Sequence, residues 1–133
     1  MRYVLDASVA VAAARPSELT HAAALRRLER VLRGDDEIVV PVIFQIEVAA
    51  ALTRVGIPAV EVTSYVEKLL AVAAVVTLGP VRARQIQSVA VLTRLRGADA
   101  TYAWLAGREG VPLVTSDDEV LQRAAPICVP ERP

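Results

Sequence analysis

The chain has 133 residues, of which 54% are hydrophobic, and its 15 basic and 15 acidic side chains give a net charge of zero. This length and composition predict one domain, residues 1–133, with its own core, and they exclude an intrinsically disordered chain. The apolar runs are short and broken by charge, and the N-terminus MRYVLDAS lacks the pattern of a signal peptide, so we expect a cytoplasmic protein without a membrane span. Zero net charge also argues mildly against a nucleic-acid-binding protein.

Short apolar stretches alternate with segments of helical periodicity in the first half of the chain. The stretches at 2–6 and 37–40 are predicted strands, and Pro41 closes the second one. The predicted helices are an Ala-rich one that ends near Arg15–Pro16, one that opens at Ser17 or Thr20 and places Leu25, Leu28 and Leu32 on one face, and one that carries Glu47 and breaks at Gly56.

The same alternation continues in the second half. Strands are predicted at 75–78, 111–115 and 127–129, and residues 130–133 are expected to fray. Four helices are predicted in this half. The first begins at Pro58, which suits a first helical turn, and the second reaches to about Leu95. The third begins after Gly97, and the last covers 118–124. The periodic apolar positions of the first two are Val62, Val66, Leu69, Leu70 and Ala73, and then Ile86, Val89, Ala90 and Thr93.

This order of elements predicts an α/β fold, in which a single three-layer domain has a short parallel sheet of about five strands and helices on both faces. Ligands of such sheets bind beyond the carboxyl ends of the strands, where the strand order switches. Asp6 and Asp117 each follow a predicted strand, so we expect both at that edge.

Four carboxylates lie far apart in the sequence, each beside an apolar element: Asp6 in YVLDAS, Glu47 in FQIEVAAAL, Asp99 in RGADATYAWLA and Asp117 in PLVTSDD. Carboxylates that are crowded together repel and raise one another's pKa. A hard divalent cation such as Mg²⁺ or Mn²⁺ removes that repulsion, because it prefers oxygen ligands. Such sites commonly catalyse phosphodiester chemistry, so the pattern indicates a metal-dependent nuclease.

Each of these four acids also has a purely structural interpretation. Asp6 and Asp99 could cap the helices that follow them, although the helical companions of Asp99 are mostly apolar. Glu47 could lie on an exposed stripe with Arg54, seven residues on, or be buried and paired among its apolar neighbours.

The remaining candidates concern the C-terminal acids and the lone histidine and cysteine. Asp117 could cap the last helix, and an error of one residue would make Asp118 the functional acid instead. His21 is expected at the surface, and a single histidine excludes a histidine-pair base and a zinc set. Cys128, the one cysteine, excludes a disulfide and is expected to be a small core residue.

The segments VLDASV, PVIFQIEVAAAL, GADATYAWLA and PLVTSDDEVL, which contain the four acids, resemble the motifs of the PIN-domain family. Each motif alone is a weak signal, but all four occur in the family's order and extend over nearly the whole chain. At this length the chain is most similar to the VapC toxins of bacterial and archaeal toxin–antitoxin pairs.

The resemblance implies that Asp6, Glu47, Asp99 and Asp117 are catalytic and hold Mg²⁺, for which Mn²⁺ can substitute, directly or through water. It implies an endoribonuclease in which metal-activated water attacks the phosphorus. The products would carry a 3′-hydroxyl and a 5′-phosphate.

Supporting residues are expected around these acids. Ser8 and Thr115 resemble positions whose hydroxyls orient carboxylates or metal-bound water in this family, and either could equally be a capping or strand-end hydroxyl. Arg94 and Arg96, just before the Asp99 helix, and Arg15, after the Asp6 helix, are candidate phosphate clamps because of their proximity in sequence.

The resemblance also implies partners: an RNA substrate, a small VapB-like antitoxin that wraps the toxin and blocks its site, and a second copy in a homodimer. The Ala- and Val-rich helices at 43–55 and 58–74 fit such apolar contacts. The alternatives are a housekeeping RNA-processing PIN nuclease and a catalytically silent PIN-like interaction module. A phosphotransfer enzyme is disfavoured, because the pattern D-x-D-x-T is absent at Asp6-Ala7-Ser8 and Lys68 is badly placed for a receiver.

Overall fold

The computed structural model describes residues 1–133 and contains five strands and seven helices. The strands are β1 (Arg2–Leu5), β2 (Glu37–Pro41), β3 (Ala73–Val76), β4 (Leu113–Val114) and β5 (Pro130–Glu131). The helices are α1 (Ala7–Ala14), α2 (His21–Leu32), α3 (Ile43–Arg54), α4 (Ala59–Leu70), α5 (Pro80–Thr93), α6 (Gly97–Glu109) and α7 (Asp118–Arg123).

All strand pairs are parallel, and β1 lies at the centre of the order β3-β2-β1-β4-β5. β1 pairs with β2 through Tyr3 and Ile38, and with β4 through Leu5 and Val114. The chain therefore adds strands first on one side of β1 and then on the other, so the strand order switches between β1 and β4. The carboxyl ends of these two strands form the crevice where α/β sheets bind ligands.

The helices complete the predicted three-layer α/β fold. Helix α1 packs against α2 and α3, and α3 packs against α4, whereas α6 packs against α5 and contacts β1, β2 and β4. The central strands are almost entirely apolar and buried, as expected of a sheet that is covered on both faces. None of the seven helices combines the length and the apolar character that crossing a membrane requires.

The bounds predicted for the fifth strand are wrong. The N–H groups of Ile127 and Cys128 both donate to the carbonyl oxygen of Ala124, at 2.9 and 3.1 Å, which holds these residues in a turn after α7. The strand comes later, at Pro130–Glu131, so the expected fraying of these two residues is also wrong. Pro130 is tolerated there because β5 is an edge strand, where a missing N–H breaks no ladder.

Two further predictions are displaced. The strand predicted at 75–78 begins earlier, at Ala73, which pairs with Ile38. The apolar face of α2 is formed by Ala24, Leu28 and Val31, whereas Leu25 and Leu32 are exposed. Sequence reasoning weighted the leucines, but the buried face includes the small Ala24, and α2 packs against α1.

Four of the five aromatic side chains belong to a single core of 32 buried apolar residues, and the fifth, Tyr65, packs against it. Tyr3, Phe44 and Tyr102 are completely buried, and Trp104 is nearly so. Tyr65 is half-buried and donates its hydroxyl to the carbonyl oxygen of Ala10 at 2.6 Å. The core therefore leaves no aromatic ring free to stack on a ligand at the surface.

Candidate functional site

Asp6 is the buried carboxylate at the end of the central strand. It follows β1 directly and is the N-cap of α1, with only 4% of its surface exposed. Its Oδ2 accepts hydrogen bonds from the hydroxyls of Thr115 at 2.6 Å and Ser8 at 2.9 Å, and its Oδ1 accepts one from the Ser8 N–H at 3.3 Å. The capping interpretation of Asp6 is therefore correct, and the same carboxylate lies at the carboxyl end of β1.

The hydroxyls of Ser8 and Thr115 also connect the ends of β1 and β4. Ser8 Oγ accepts from the Ser116 N–H at 3.0 Å, and Thr115 Oγ1 accepts from the Asp117 N–H at 3.1 Å. Each hydroxyl donates to Asp6 and accepts from the β4 loop, so the two strand ends are held at a fixed separation.

Asp117 is the N-cap of α7 and lines the same crevice. Its Oδ1 accepts from the N–H groups of Glu119 and Val120, at 2.8 and 3.3 Å. Asp118 is exposed and forms an ion pair with Arg132. The structure thus places Asp117, and not Asp118, at the cavity.

Glu47 projects from α3 and is held by Tyr102. The Tyr102 hydroxyl donates to Glu47 Oε1 at 2.6 Å, and Tyr102 itself is completely buried. The exposed-stripe interpretation of Glu47 is wrong, because the carboxylate is half-buried and forms no ion pair with Arg54. Sequence reasoning counted Tyr102 as part of an apolar face and missed its hydroxyl. Its position three residues after Asp99 was the available signal.

All four acids line one small cavity. Asp99 lies in the first turn of α6, where Arg96 and not Asp99 is the N-cap, so the capping interpretation of Asp99 is wrong. The cavity has a volume of about 260 Å³, and its lining residues are Asp6, Ala7, Ser8, Val11, Glu47, Ala51, Asp99 and Asp117. Larger depressions on α2 and between α3 and α4 lack such a set of carboxylates.

Burial and mutual repulsion destabilise the charged forms of these acids. Burial raises the pKa of Asp6, against the lowering effect of its hydroxyl donors, and burial likewise raises the pKa of Glu47. The pKa of Asp99 is raised to about 6, first by burial and then by the charges of Asp6 and Asp117, with Arg96 opposing the shift. The cavity is thus a site of concentrated negative charge.

The donor set fits a hard divalent cation. Its members are carboxylates, which Mg²⁺ and Mn²⁺ prefer, and a positive charge would reverse the unfavourable pKa shifts. In the present side-chain arrangement no three His, Cys, Asp or Glu groups lie close enough together to enclose an ion. Side-chain rotation, for example of Glu47 on α3 and Asp99 on α6, would be needed to bring the four carboxylates together around an ion.

The predicted arginine clamps differ in their surroundings. Arg94 is exposed and ends α5 in the left-handed conformation, with its carbonyl oxygen accepting from Arg123 at 3.0 Å. Arg96 is exposed and lies 3.6 Å from Glu119. Arg15 is paired with Glu18 at 2.7 Å, so its charge is already compensated.

His21 and Cys128 take no part in the cavity. His21 is half-buried, and its Nδ1 lies 2.8 Å from the carbonyl oxygen of Ala12, so its expected surface position is wrong. Burial raises the pKa of Cys128 to about 11, which keeps the thiol protonated and unreactive at neutral pH. Cys128 packs against the core, as predicted.

Comparison with known proteins gives one family and several solved structures. The family described as PIN domain matches residues 3–126 of the chain. A search among curated proteins gave no significant match.

Solved structures match over almost the whole chain. PAE2754 from Pyrobaculum aerophilum is 24% identical, with a TM-score of 0.71, and the match covers 98% of this chain and 92% of that one. VapBC2 from Rickettsia felis, bound to a DNA fragment from their promoter, is 16% identical, with a TM-score of 0.70 and coverage of 99% and 98%. FitAcB from Neisseria gonorrhoeae is 19% identical, with a TM-score of 0.63 and coverage of 98% and 97%. These similarities establish a shared fold.

Proposed function

This chain belongs to the PIN-domain family, and on that premise we propose that it is a Mg²⁺-dependent endoribonuclease, the VapC-like toxin of a type II toxin–antitoxin pair. The observation that carries the proposal is the shared cavity of Asp6, Glu47, Asp99 and Asp117 beyond the carboxyl ends of β1 and β4. Acids from four separate segments meet there at a cost in repulsion, which a purely structural role does not require.

The protein's own residues prepare this cavity in two ways. Ser8 and Thr115 donate to Asp6 and fix its orientation, and Tyr102 does the same for Glu47. The four carboxylates would hold the cation, which when bound supplies compensation of charge on the scissile phosphate and lowers the pKa of water.

The proposed reaction is hydrolysis of a phosphodiester bond. The oxygen of a water molecule bonds to the phosphorus, the P–O3′ bond breaks, and the proton lost by water is balanced by the proton gained by the leaving 3′-oxygen. The products are a 3′-hydroxyl and a 5′-phosphate.

The partner in this proposal is a VapB-like antitoxin, and the protein acts in the cytoplasm as a homodimer. Support comes from the shared fold with VapBC2 and FitAcB over nearly the full length of both chains. Exposed apolar residues on α3 and α4, such as Ile46 and Val60, favour contact with another chain.

The test is cleavage of a labelled single-stranded RNA pool with Mg²⁺, with Mn²⁺ and with EDTA. We expect metal-dependent cleavage by the wild type, none by Asp6→Asn or Asp99→Asn, and unchanged cleavage by the matched control Asp118→Asn. Cleavage by all four proteins alike would point to a contaminant and defeat the proposal. The absence of any cleavage, together with capture of a VapB-like partner, would favour the silent interaction module.

A further inference from the structure

The net charge of zero hides a strong asymmetry along the chain. Residues 68–98 contain five basic side chains and no acidic one, so the rest of the chain carries ten basic against fifteen acidic side chains. The five are Lys68, Arg82, Arg84, Arg94 and Arg96. Four of them lie on α5 or on the short segment between α5 and α6.

Helix α5 presents a face of this basic segment to solvent. Only Val89 and Thr93 of its fourteen residues are buried, and they point toward the core beside α6. The opposite side of the helix is exposed and carries polar and basic residues together with the apolar residues Val81, Val91 and Leu92. We define the α5 face as Arg84, Gln87, Ser88, Val91 and Arg94.

The arginines of the α5 face are not neutralised. Nine of the fourteen arginines of the chain form ion pairs with acids, but neither Arg84 nor Arg94 does. Residues 68–98 themselves contain no acid that could pair with them. Two uncompensated guanidinium groups attract phosphate, and the exposed side chain of Gln87 between them adds hydrogen-bond donors.

The C-terminal end of the α5 face adjoins the acidic cavity. The Arg94 carbonyl oxygen accepts from Arg123, and Arg123 also pairs with Glu119 at 2.9 Å. The Glu119 N–H in turn donates to the cavity acid Asp117. Helix α5 itself is about 21 Å long, given its fourteen residues.

We propose that the α5 face binds the sugar–phosphate backbone of single-stranded RNA and guides one arm of the strand to the four-carboxylate cavity. This inference rests on the proposed nuclease function and extends it to the binding surface. The backbone is the moiety bound, because no aromatic ring is free to stack on bases and the exposed donors are suited to phosphate.

A second copy of this chain is a poorer occupant of the same surface. Val91 and Leu92 are exposed and could favour self-association. However, a two-fold interface centred on α5 would bring Arg84 and Arg94 of both copies together, and the repulsion would oppose it.

The experiment measures binding of a fluorescent single-stranded RNA in EDTA, by anisotropy, over a series of salt concentrations. The variant is Arg84→Gln/Arg94→Gln, and the matched control is Arg26→Gln/Arg54→Gln, two exposed arginines that also lack ion pairs. We expect the α5 variant to lose about tenfold in affinity and its salt slope to fall by about 1.4, as two lost phosphate contacts require. The control should bind within about twofold of the wild type, since its arginines lie outside the α5 face.

The results separate this inference from the nuclease proposal. Equal affinity and salt slope in the α5 variant and the wild type, or no RNA binding by the wild type, would overturn the inference. So would a change of oligomeric mass in the α5 variant without a change in RNA affinity, which would assign the face to self-association. If the α5 variant binds RNA more weakly but the wild type does not cleave RNA, the α5 face is supported as an RNA-binding surface. That result would contradict only the nuclease proposal.

Discussion

The hydroxyl of Tyr102 lies 2.6 Å from Oε1 of Glu47 and joins the helix of Asp99 to the helix of Glu47. Tyr102 is completely buried, so its hydroxyl has no water to bind in place of the carboxylate. The buried Tyr102 hydroxyl therefore fixes the position of the Glu47 carboxylate in the shared cavity. This contact links α3 to α6, the two helices that carry Glu47 and Asp99.

Replacing Tyr102 with Phe should loosen Glu47 without removing any cavity acid. Loss of a hydrogen bond to a charged group should cost about 1–3 kcal/mol of unfolding free energy. Loss of a group that orients a metal ligand should weaken Mn²⁺ binding by about tenfold or more. Urea unfolding measures the loss of stability. Calorimetric titration of the protein with Mn²⁺, in the absence of RNA, measures the loss of metal affinity.

Tyr65→Phe is the matched control for that substitution. It removes an equally short hydrogen bond, from Tyr65 to the carbonyl oxygen of Ala10, without touching a carboxylate. We expect it to lower stability but to leave Mn²⁺ affinity unchanged. Equal Mn²⁺ affinities for Tyr102→Phe and Tyr65→Phe would mean that the Tyr102 hydroxyl has only a structural role.

The metal-free protein should become less stable as the pH rises from about 4 to about 6. The pKa of Asp99 is raised to about 6 in the folded state, so over this range the folded protein binds more protons than the unfolded chain. Asp99→Asn should remove much of this dependence and stabilise the metal-free protein at pH 7 by about 1–2 kcal/mol. Urea unfolding in EDTA across this range is the measurement, and a wild-type midpoint that rises with pH would contradict the raised pKa.

Asp117→Asn should abolish cleavage, whereas Asp118→Asn should not. Asp117 lines the cavity and caps α7, while Asp118 is exposed and paired with Arg132. Loss of a surface ion pair should change stability by less than about 1 kcal/mol. Cleavage assays on both variants, with circular dichroism as the check on folding, decide which acid belongs to the site. Loss of cleavage in Asp118→Asn alone would place the site one residue later.

Asp36 should stabilise the fold without contributing to cleavage. It accepts from Arg30 at 2.8 and 2.9 Å and from the N-terminal ammonium group at 3.2 Å, before the amino end of β2. The Arg30 guanidinium lowers its pKa to about 2, so its stabilisation is present above about pH 4 and is lost as the pH falls toward 2.

Asp36→Asn should therefore cost about 1–3 kcal/mol at pH 7 and leave cleavage per folded molecule unchanged. Asp35→Asn, at the half-exposed partner of Arg33, should cost less than about 1 kcal/mol. Urea unfolding at pH 7 and pH 3 compares them. Equal stability of wild type and Asp36→Asn at pH 7 would refute the stabilising role.

The sequence predicted the part of the site that follows from strand order. Asp6 and Asp117 each follow a strand, and parallel strands bring their carboxyl ends to one edge. Glu47 and Asp99 lie on helices, where periodicity allowed an exposed stripe or a cap, and only the order of the family's motifs indicated their convergence. Tyr102 was missed because an aromatic residue among alanines resembles a core position, and only packing shows where its hydroxyl points.

The errors in the fold have a local origin. Ile127-Cys128-Val129 has strand-like residues, but the N–H groups of Ile127 and Cys128 are used by the turn after α7. The prediction that residues 130–133 fray also fails at Pro130, because on an edge strand its missing N–H faces no partner. Hydrogen-bond competition of this kind is set by tertiary structure and has no signature in a single sequence.

The most direct test of the four-carboxylate account is the chemistry of the cleaved ends. A labelled RNA is digested in water enriched in oxygen-18, with Mg²⁺ or with EDTA, by the wild type and by Asp6→Asn, and the ends are analysed by mass spectrometry. The account predicts 5′-phosphates that contain oxygen from solvent, free 3′-hydroxyls, and no products with EDTA or with Asp6→Asn. Products with 2′,3′-cyclic phosphates and 5′-hydroxyls, formed equally in EDTA, would contradict it.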